Sequence, residues 1–201
     1  MLFRSNDPPR TVARRTAVHV RPFQQSHVCY ARRTPGLTHA HRWALSLINT
    51  IIGDGMSSRL HQRVREKIGG TYSLYSTLQL LTDCGVLSVY AGMEKGIAKK
   101  IQQAIEKELD GLAERGVTPS ELRRAKEQLK SATIMSLESL SARMNALAKA
   151  ELEEGYFEST ASTLHAIDAV SVDEMCAVAR RLGAAGRWTR VSIHGSESHE
   201  A

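Results

Sequence analysis

Apolar residues recur along the chain with two different periods, and the switches between them predict the order of its elements. A spacing of three to four residues is typical of an amphipathic helix, whereas short alternating or β-branched runs bounded by turn residues are typical of strands. The helical spacing covers residues 39–52, 57–68, 96–115, 119–149 and 171–183. The strand pattern covers residues 17–31, 72–81, 86–92 and 188–194.

This order of elements predicts an α+β fold, a two-layer arrangement in which helices pack on a mixed or antiparallel sheet. The strands at 72–81 and 86–92 are separated by a short polar turn, which favours an antiparallel hairpin. Residues 118–121, Thr-Pro-Ser-Glu, combine a capping box with proline at the first helical position and predict a helix start. Residues 171–174, Ser-Val-Asp-Glu, predict a second capping box.

The length of 201 residues is sufficient for one domain with its own core. Residues 1–16 are polar, contain prolines and lack a period, which predicts a basic linker or a disordered start, and residues 17–201 are predicted to form a single α+β domain. No run of about 18 apolar residues is present, so we expect no membrane span. Without such a run or a signal peptide, we expect a cytoplasmic protein, or an organellar or periplasmic one if the true N-terminus is missing.

The cysteine and methionine side chains are predicted to pack in the protein interior. Cys29, Cys84 and Cys176 are odd in number and widely spaced, which favours buried free thiols in a reducing compartment over a disulfide framework. Met135 and Met144 lie on the helix predicted over 119–149, where we expect them to fill the core rather than to form a binding stripe.

The net charge of +6 comes from the start of the chain, since residues 1–42 carry eight arginines and one acidic residue. Three interpretations compete for this segment: a solvated tail, a contact with nucleic acid or an anionic surface, and an organellar transit peptide. Its prolines oppose a long amphipathic helix, and no interleaved aromatic residues support base stacking. The pattern therefore favours a solvated tail and no nucleic-acid partner.

Residues 53–75 form the corner around which the rest of the chain is arranged. Gly53 and Gly55 can adopt positive φ to end one helix, and a hydroxyl at Ser57 or Ser58 can cap the next one. That helix ends at a Gly-Gly break followed by a strand, so Arg65 near its end and Tyr72 at the strand start are expected to be neighbours.

The corner resembles the second, non-zinc half of the pitrilysin/insulinase family of zinc metallopeptidases, which includes the mitochondrial processing peptidases. The matching residues are Gly-x-Gly-Met-Ser-Ser-Arg-Leu at 53–60, Arg-Glu-Lys at 65–67 and Gly-x-x-Tyr-Ser at 69–73. The order of the remaining elements extends the resemblance over residues 17–195. The resemblance implies the α+β half-domain of a processing peptidase.

The resemblance also implies that Arg65 and Tyr72 reach across a cleft to the bound peptide. A guanidinium can hold a peptide carbonyl, and a phenol can stabilise the oxyanion at the scissile bond. Ile68 departs from the family pattern, because many relatives have a basic residue there. On spacing alone, a local ion pair for Arg65 and a packing role for Tyr72 remain open.

No His-x-x-Glu-His zinc motif occurs in the chain, so we expect no catalytic residues and no zinc in this chain alone. His27 and Cys29 share a strand face but are only two ligands, and His39 and His41 face different directions at a helix start as a solvated pair. The resemblance implies that zinc lies in a partner, either a homologous zinc-bearing chain or an upstream domain. Two functions stay open: the substrate-binding half of a zinc endopeptidase, and a non-catalytic scaffold or assembly subunit. A homodimer is also possible.

Overall fold

The computed structural model describes residues 14–155 and 158–195, which form an α+β fold with helices packed on a five-stranded sheet. The strands are β1 (Thr16–Arg21), β2 (Gln25–Pro35), β3 (Thr71–Leu80), β4 (Cys84–Glu94) and β5 (Thr189–Gly195). The α-helices are α1 (Arg42–Gly53), α2 (Glu66–Ile68), α3 (Ala98–Arg115), α4 (Pro119–Ser136), α5 (Leu140–Lys149), α6 (Thr160–Ala169) and α7 (Val172–Leu182). Two π-helical segments, His61–Arg65 and Ala150–Glu154, precede α2 and follow α5. The predicted α+β class is confirmed.

The strands lie in the order β1-β5-β2-β4-β3, so β1 and β3 form the two edges of the sheet within the described residues. The sheet is mixed, because β1 pairs with β5 in parallel and all other pairs are antiparallel. The β3–β4 hairpin brings the first residues of β3 next to the end of β4, where α3 begins shortly afterwards.

Alternate side chains of the central strands form the inner face of the sheet. Val28 and Tyr30 on β2 and Leu87 and Val89 on β4 are almost completely buried, as period-two alternation requires when one face packs on helices. Helices α1, α3 and α7 supply the opposing apolar side chains of one continuous core. The end of the core is closed by Trp188, whose indole N–H donates to the carbonyl of Gly183 at 3.1 Å.

The single strand predicted over 17–31 is two strands, β1 and β2. Pro22 ends β1 because proline offers no N–H to a strand partner, and the next N–H, of Phe23, donates to the Arg21 carbonyl at 2.8 Å in a tight turn. The sheet also begins slightly before the expected boundary, since Thr16 is in β1 and the Arg15 carbonyl accepts from Arg190 N–H at 2.9 Å. Most of the predicted basic linker, residues 1–13, lies outside the described residues.

The single helix predicted over 119–149 is broken into α4 and α5. Ser139 adopts an extended conformation, and its hydroxyl accepts from Ala142 N–H at 3.3 Å. Ser139 therefore caps the start of α5, and α4 ends before it. The expected burial of Met135 and Met144 is wrong, because both side chains are more than 60% exposed. Helix α6 was not predicted, since its Ser159 cap precedes a segment with only one buried apolar residue.

The three cysteines are free thiols, as predicted, but they are half-buried rather than buried. None of the described helices is both long and apolar enough to cross a lipid bilayer.

Candidate functional site

Two glycines shape the turn that follows α1, for different reasons. Gly55 has φ of +99°, a conformation that favours glycine. Gly53, contrary to expectation, does not have positive φ. It must be glycine because a Cβ at this position would lie 2.5 Å from the backbone nitrogen of Ser76. Helix α1 can therefore approach β3 closely only through a residue without a side chain.

Ser58 is the residue that starts the next helix. Its hydroxyl donates to the Gly55 carbonyl at 2.7 Å and lies 3.4 Å from the N–H of His61, which it caps. The hydroxyl of Ser57 instead reaches the Gln128 side chain on α4 at 3.4 Å. The turn is thus tied both to its own helix and to the neighbouring one.

The helix that carries Arg65 is wound as a π-helix over His61–Arg65. The N–H of Glu66 donates to the carbonyl of His61 five residues earlier, which accommodates one residue more than an α-helical turn would. Single π turns of this kind are frequent at functional sites. The segment ends at Gly69 and Gly70, both with positive φ, and β3 follows at once.

Tyr72 lies at an irregularity in the β3–β4 ladder. The register shifts between Thr71 and Ser73, so one extra residue is accommodated on β3 opposite Gly92. Such bulges redirect side chains and are common next to active sites. Tyr72 is 56% exposed, so its side chain faces solvent rather than the core.

An open groove of about 740 Å³ runs beside β3 at this corner. Arg65 faces it from the π-helix, and Tyr75 faces it from β3. The side chain of Arg65 has no hydrogen-bond or ion-pair partner among the described residues. The groove is lined by residues 53–56, His61, Arg65 and residues 74–77.

The predicted pair, Arg65 and Tyr72, is placed on either side of the Gly69–Gly70 corner, and both side chains are exposed. Arg65 lines the groove, whereas Tyr72 lies two residues before the part of β3 that does so. No hydrogen bond joins their side chains in the described part of the chain, so their joint action stays a prediction. Ile68, which replaces a basic residue of the family pattern, packs partly against the core.

Below the corner lies a buried ion pair that the sequence did not reveal. Arg59 is only 8% exposed and its guanidinium binds both carboxylate oxygens of Glu121, at 2.7 and 2.9 Å. It also donates to the carbonyl of Gly116 at 2.8 Å. Nothing in the local sequence distinguishes Arg59 from the exposed arginines that follow it, since its partner Glu121 lies 62 residues further along the chain.

Glu121 has two roles, because it also completes the capping box of α4. The N–H and the hydroxyl of Thr118 each donate to its carboxylate at 2.9 Å. Burial alone would raise the pKa of Glu121, but the hydrogen bonds from Arg59 and Thr118 outweigh it and lower the pKa to about 2. The ion pair therefore joins the segment that carries Arg65 to the start of α4.

The described residues do not fit a zinc site, because no three His, Cys, Asp or Glu side chains among them cluster closely enough to hold a metal ion. His27, one half of the pair on β2, instead has its Nδ1 2.8 Å from the hydroxyl of Tyr90. Burial raises the pKa of its strand neighbour Cys29, which disfavours the thiolate that binds metals.

His39 and His41 do not form the solvated pair that was expected. Their rings lie 5.2 Å apart, but His41 Nδ1 is 2.8 Å from the carboxylate of Glu174 on α7. The hydroxyl of Ser171 caps α7 by accepting from Glu174 N–H at 3.1 Å. The carboxylate of the predicted second capping box thus contacts a histidine at the start of α1.

Comparison with known proteins identifies relatives of this fold and corner. The family model described as the Peptidase M16 inactive domain matches residues 4–129. An uncharacterized zinc protease of Mycobacterium leprae is 39% identical over 175 residues, which are 87% of this chain and 38% of that protein. One of Streptomyces coelicolor is 41% identical over 177 residues, again 87% of this chain and 38% of that protein. The chain thus spans less than two fifths of the length of these relatives.

Solved structures show the same fold at lower identity. A peptidase M16 inactive domain from Pseudomonas fluorescens superposes with a TM-score of 0.84 at 19% identity, covering 96% of this chain and 46% of that one. A protease from Helicobacter pylori superposes with a TM-score of 0.80 at 24% identity, covering 90% of this chain and 44% of that one.

Proposed function

The chain belongs to the family of M16 peptidase inactive domains, and from this membership we propose that it is the substrate-binding, non-zinc half of a zinc metalloendopeptidase. The proposal is based on Arg65. This cation is exposed, has no partner among the described residues and lines a groove beside the strand that also carries the exposed Tyr72. The relatives support it, because they bear the name zinc protease and are more than twice as long as the part that this chain matches.

Arg65 is suited to hold a peptide in place. A guanidinium presents several donors in a planar fork and can hold a carbonyl oxygen or a carboxylate with two of them. The Arg65 side chain forms no ion pair among the described residues, whereas Arg63 contacts the carboxylate of Glu108 at 2.8 Å. The donors of Arg65 are therefore available to a ligand in the groove.

Tyr72 is suited to a role at the scissile bond. Its hydroxyl can donate to the oxyanion that develops when the carbonyl is attacked, and such donors act most strongly where charge appears in the transition state. The bulge at the start of β3 presents the ring to solvent rather than to the core. Tyr72 thereby remains free to face a partner across the cleft.

The reaction itself needs a partner. A zinc ion in a homologous chain or domain would supply the activated water, while this chain binds and orients the peptide. We propose such a zinc-bearing half as the partner and a peptide as the substrate.

The test combines the chain with a zinc-bearing half, as a second chain or a fused domain, and follows cleavage of a quenched fluorescent peptide. Tyr72→Phe removes one donor and keeps the ring, so we expect kcat to fall about a hundredfold. Arg65→Lys keeps the charge but loses the fork, so we expect kcat/KM to fall about tenfold, with a higher KM.

Two variants serve as matched controls. Tyr90→Phe removes a phenol hydroxyl that contacts His27 on the sheet, and Arg63→Lys makes the same exchange two residues before Arg65. Both should leave turnover within about twofold. Melting curves should be unchanged for the Tyr72 variant, and a large loss of stability would assign that ring a packing role.

The second candidate is a non-catalytic scaffold or assembly subunit of the same family. The absence of a metal-ligand cluster from the described residues is compatible with both functions. Near-normal turnover of both the Tyr72 and the Arg65 variants would favour the scaffold.

A further inference from the structure

A small cavity lies between the helix that starts at Ser58 and helix α4, and it shares no lining residue with the groove beside β3. Its volume is about 70 Å³, whereas one water molecule needs about 10 to 15 Å³ of such space. The lining consists of Thr50, Ile51, Ser57, Arg59, Gln62, Arg63, Glu121, Arg124, Ala125 and Gln128. The cavity therefore has room for a ligand several times larger than a water molecule.

Positive charge predominates in this lining. Arg59, Arg63 and Arg124 each contribute a guanidinium, and among the described lining residues Glu121 alone is acidic, which leaves three positive charges against one negative. Both carboxylate oxygens of Glu121 are bound by Arg59, so its charge is already matched. Glu108, outside the lining, offsets part of the charge of Arg63. The cavity is therefore suited to an anion.

Arg59 has a donor that no group of the fold accepts. Its Nε and Nη2 donate to Glu121 and to the Gly116 carbonyl, but its Nη1 donates to no acceptor among the described residues. The side chain is only 8% exposed, and a buried donor without an acceptor costs free energy. Because Arg59 lines the cavity, an acceptor bound there would satisfy Nη1.

The other two guanidinium groups line the same cavity from two different helices. Arg124, on α4, forms no hydrogen bond or ion pair in the part of the chain that the structure describes. Arg63 uses its Nη1 to bind Glu108, and its Nε and Nη2 donate to no other described group. Cations that share one small cavity repel one another, and an anion between them would replace that repulsion by attraction.

We propose that this cavity binds a tetrahedral oxyanion of the phosphate class, held by Arg59, Arg63 and Arg124. Guanidinium groups bind phosphate through paired N–H donors, and such charge-assisted hydrogen bonds are stronger than neutral ones. Donors from two helices suit an ion with oxygens on every side better than a flat carboxylate. The inference goes beyond the proposed function, since neither Arg65 nor Tyr72 lines the cavity.

The bound anion would join α4 to the segment that carries Arg65. The buried pair of Arg59 and Glu121 already makes this connection, and the anion would add contacts from Arg63 and Arg124 to it. A ligand that binds only the folded chain stabilises it by mass action. Phosphate is therefore expected to stabilise the fold.

The first experiment titrates the full chain with inorganic phosphate and follows binding by isothermal titration calorimetry. The buffer contains no other oxyanion, and chloride keeps the ionic strength constant so that screening does not change. We expect saturable binding of a single phosphate at millimolar or lower concentration, and a Tm that rises with phosphate concentration. Absence of saturable binding at millimolar phosphate, or equally tight binding of acetate, would overturn the proposal.

The source of the phosphate group is tested with O-phosphoserine, titrated in parallel under the same conditions. Binding of both compounds supports the site and shows that it accepts a phosphate monoester. Binding of inorganic phosphate alone supports the site and assigns it to the free ion. If neither compound binds, the proposal is wrong.

A matched pair of variants tests the position of the site. Arg124→Gln removes an exposed cation that lines the cavity, whereas Arg123→Gln removes its exposed neighbour on α4, which does not line it. We expect Arg124→Gln to weaken phosphate binding about tenfold, and Arg123→Gln to change it by less than about twofold. An equal loss in both variants would indicate a response to net charge alone and would refute the site.

Arg59 is followed in the native chain, because its replacement would leave the carboxylate of Glu121 buried without its partner. NMR spectra of the arginine Nε–H groups are recorded during the phosphate titration. The signals of Arg59 and Arg124 should shift and saturate at the phosphate concentration found by calorimetry. Shifts confined to arginines outside the lining would contradict the assignment.

Discussion

Replacing Glu121 by glutamine is the sharpest test of how the corner is held. The variant keeps the shape of the side chain but removes the charge that pairs with buried Arg59 and accepts from the Thr118 cap. The pKa of Glu121 falls from 4.5 to about 2 on folding. Since one pKa unit corresponds to about 1.4 kcal/mol, the carboxylate stabilises the fold by about 3 kcal/mol at neutral pH.

The sign of the pH dependence follows from the lowered pKa. The contribution of Glu121 is fully present above pH 4.5 and is lost progressively as the pH falls towards 2, because the unfolded chain takes up the proton first. We therefore expect Glu121→Gln to lose about 3 kcal/mol at pH 7, or about 6 to 12 °C in Tm, and to show a shallower loss of stability between pH 5 and pH 2.

Urea unfolding of both proteins at intervals from pH 7 to pH 2.5 measures these quantities. Glu108→Gln is the matched control, because Glu108 pairs with Arg63, whose side chain is 45% exposed, and such pairs contribute at most about 1 kcal/mol. Parallel pH curves for the native protein and the Glu121 variant would refute the reasoning, as would an equal loss in the Glu108 control.

Three further predictions concern packing, domain limits and metal content. Gly53→Ala should lower the free energy of unfolding by about 2 kcal/mol or more, since its Cβ would strike the backbone of β3, whereas Gly96→Ala meets no atom within 4 Å and should be nearly neutral in urea unfolding. Removal of residues 1–13, which offer few apolar groups, should leave Tm within about 2 °C, whereas removal of residues 1–21 also deletes β1 and should lower it clearly in calorimetry. The isolated chain should hold no stoichiometric zinc by elemental analysis after dialysis, and one tightly bound zinc per chain would contradict the division of labour that we propose.

The fold class could be predicted because its signals are local and strong. The Thr118 capping box, the proline after it and the β3–β4 turn each fix an element boundary within a few residues. The parallel pairing of β1 with β5 was not predictable in this way. It joins residues about 174 positions apart, as in the bond from Arg15 N–H to Thr189, and no local pattern specifies such a partner.

The candidate site was predictable only in its outline. The glycines and serines of the corner carry recognisable backbone chemistry, and the resemblance singled out Arg65 and Tyr72. The burial of Arg59 was not predicted, because its partner Glu121 lies 62 residues away along the chain and no local pattern links the two. The break at Ser139 was missed because one serine cap inside a helical pattern is a weak signal.

The π turn before α2 has a consequence for how this protein can change. In an α-helix each residue advances the chain by about 100° around the axis, and the π turn takes up one extra residue without passing that rotation on to the residues after it. Deletion of a single residue between His61 and Val64 would let the segment wind as an α-helix, whereas insertion of one more residue would rotate Arg65 away from the groove by about 100° unless the turn widened further. An insertion in this five-residue segment is therefore expected to disrupt ligand binding more than a deletion or a substitution in it.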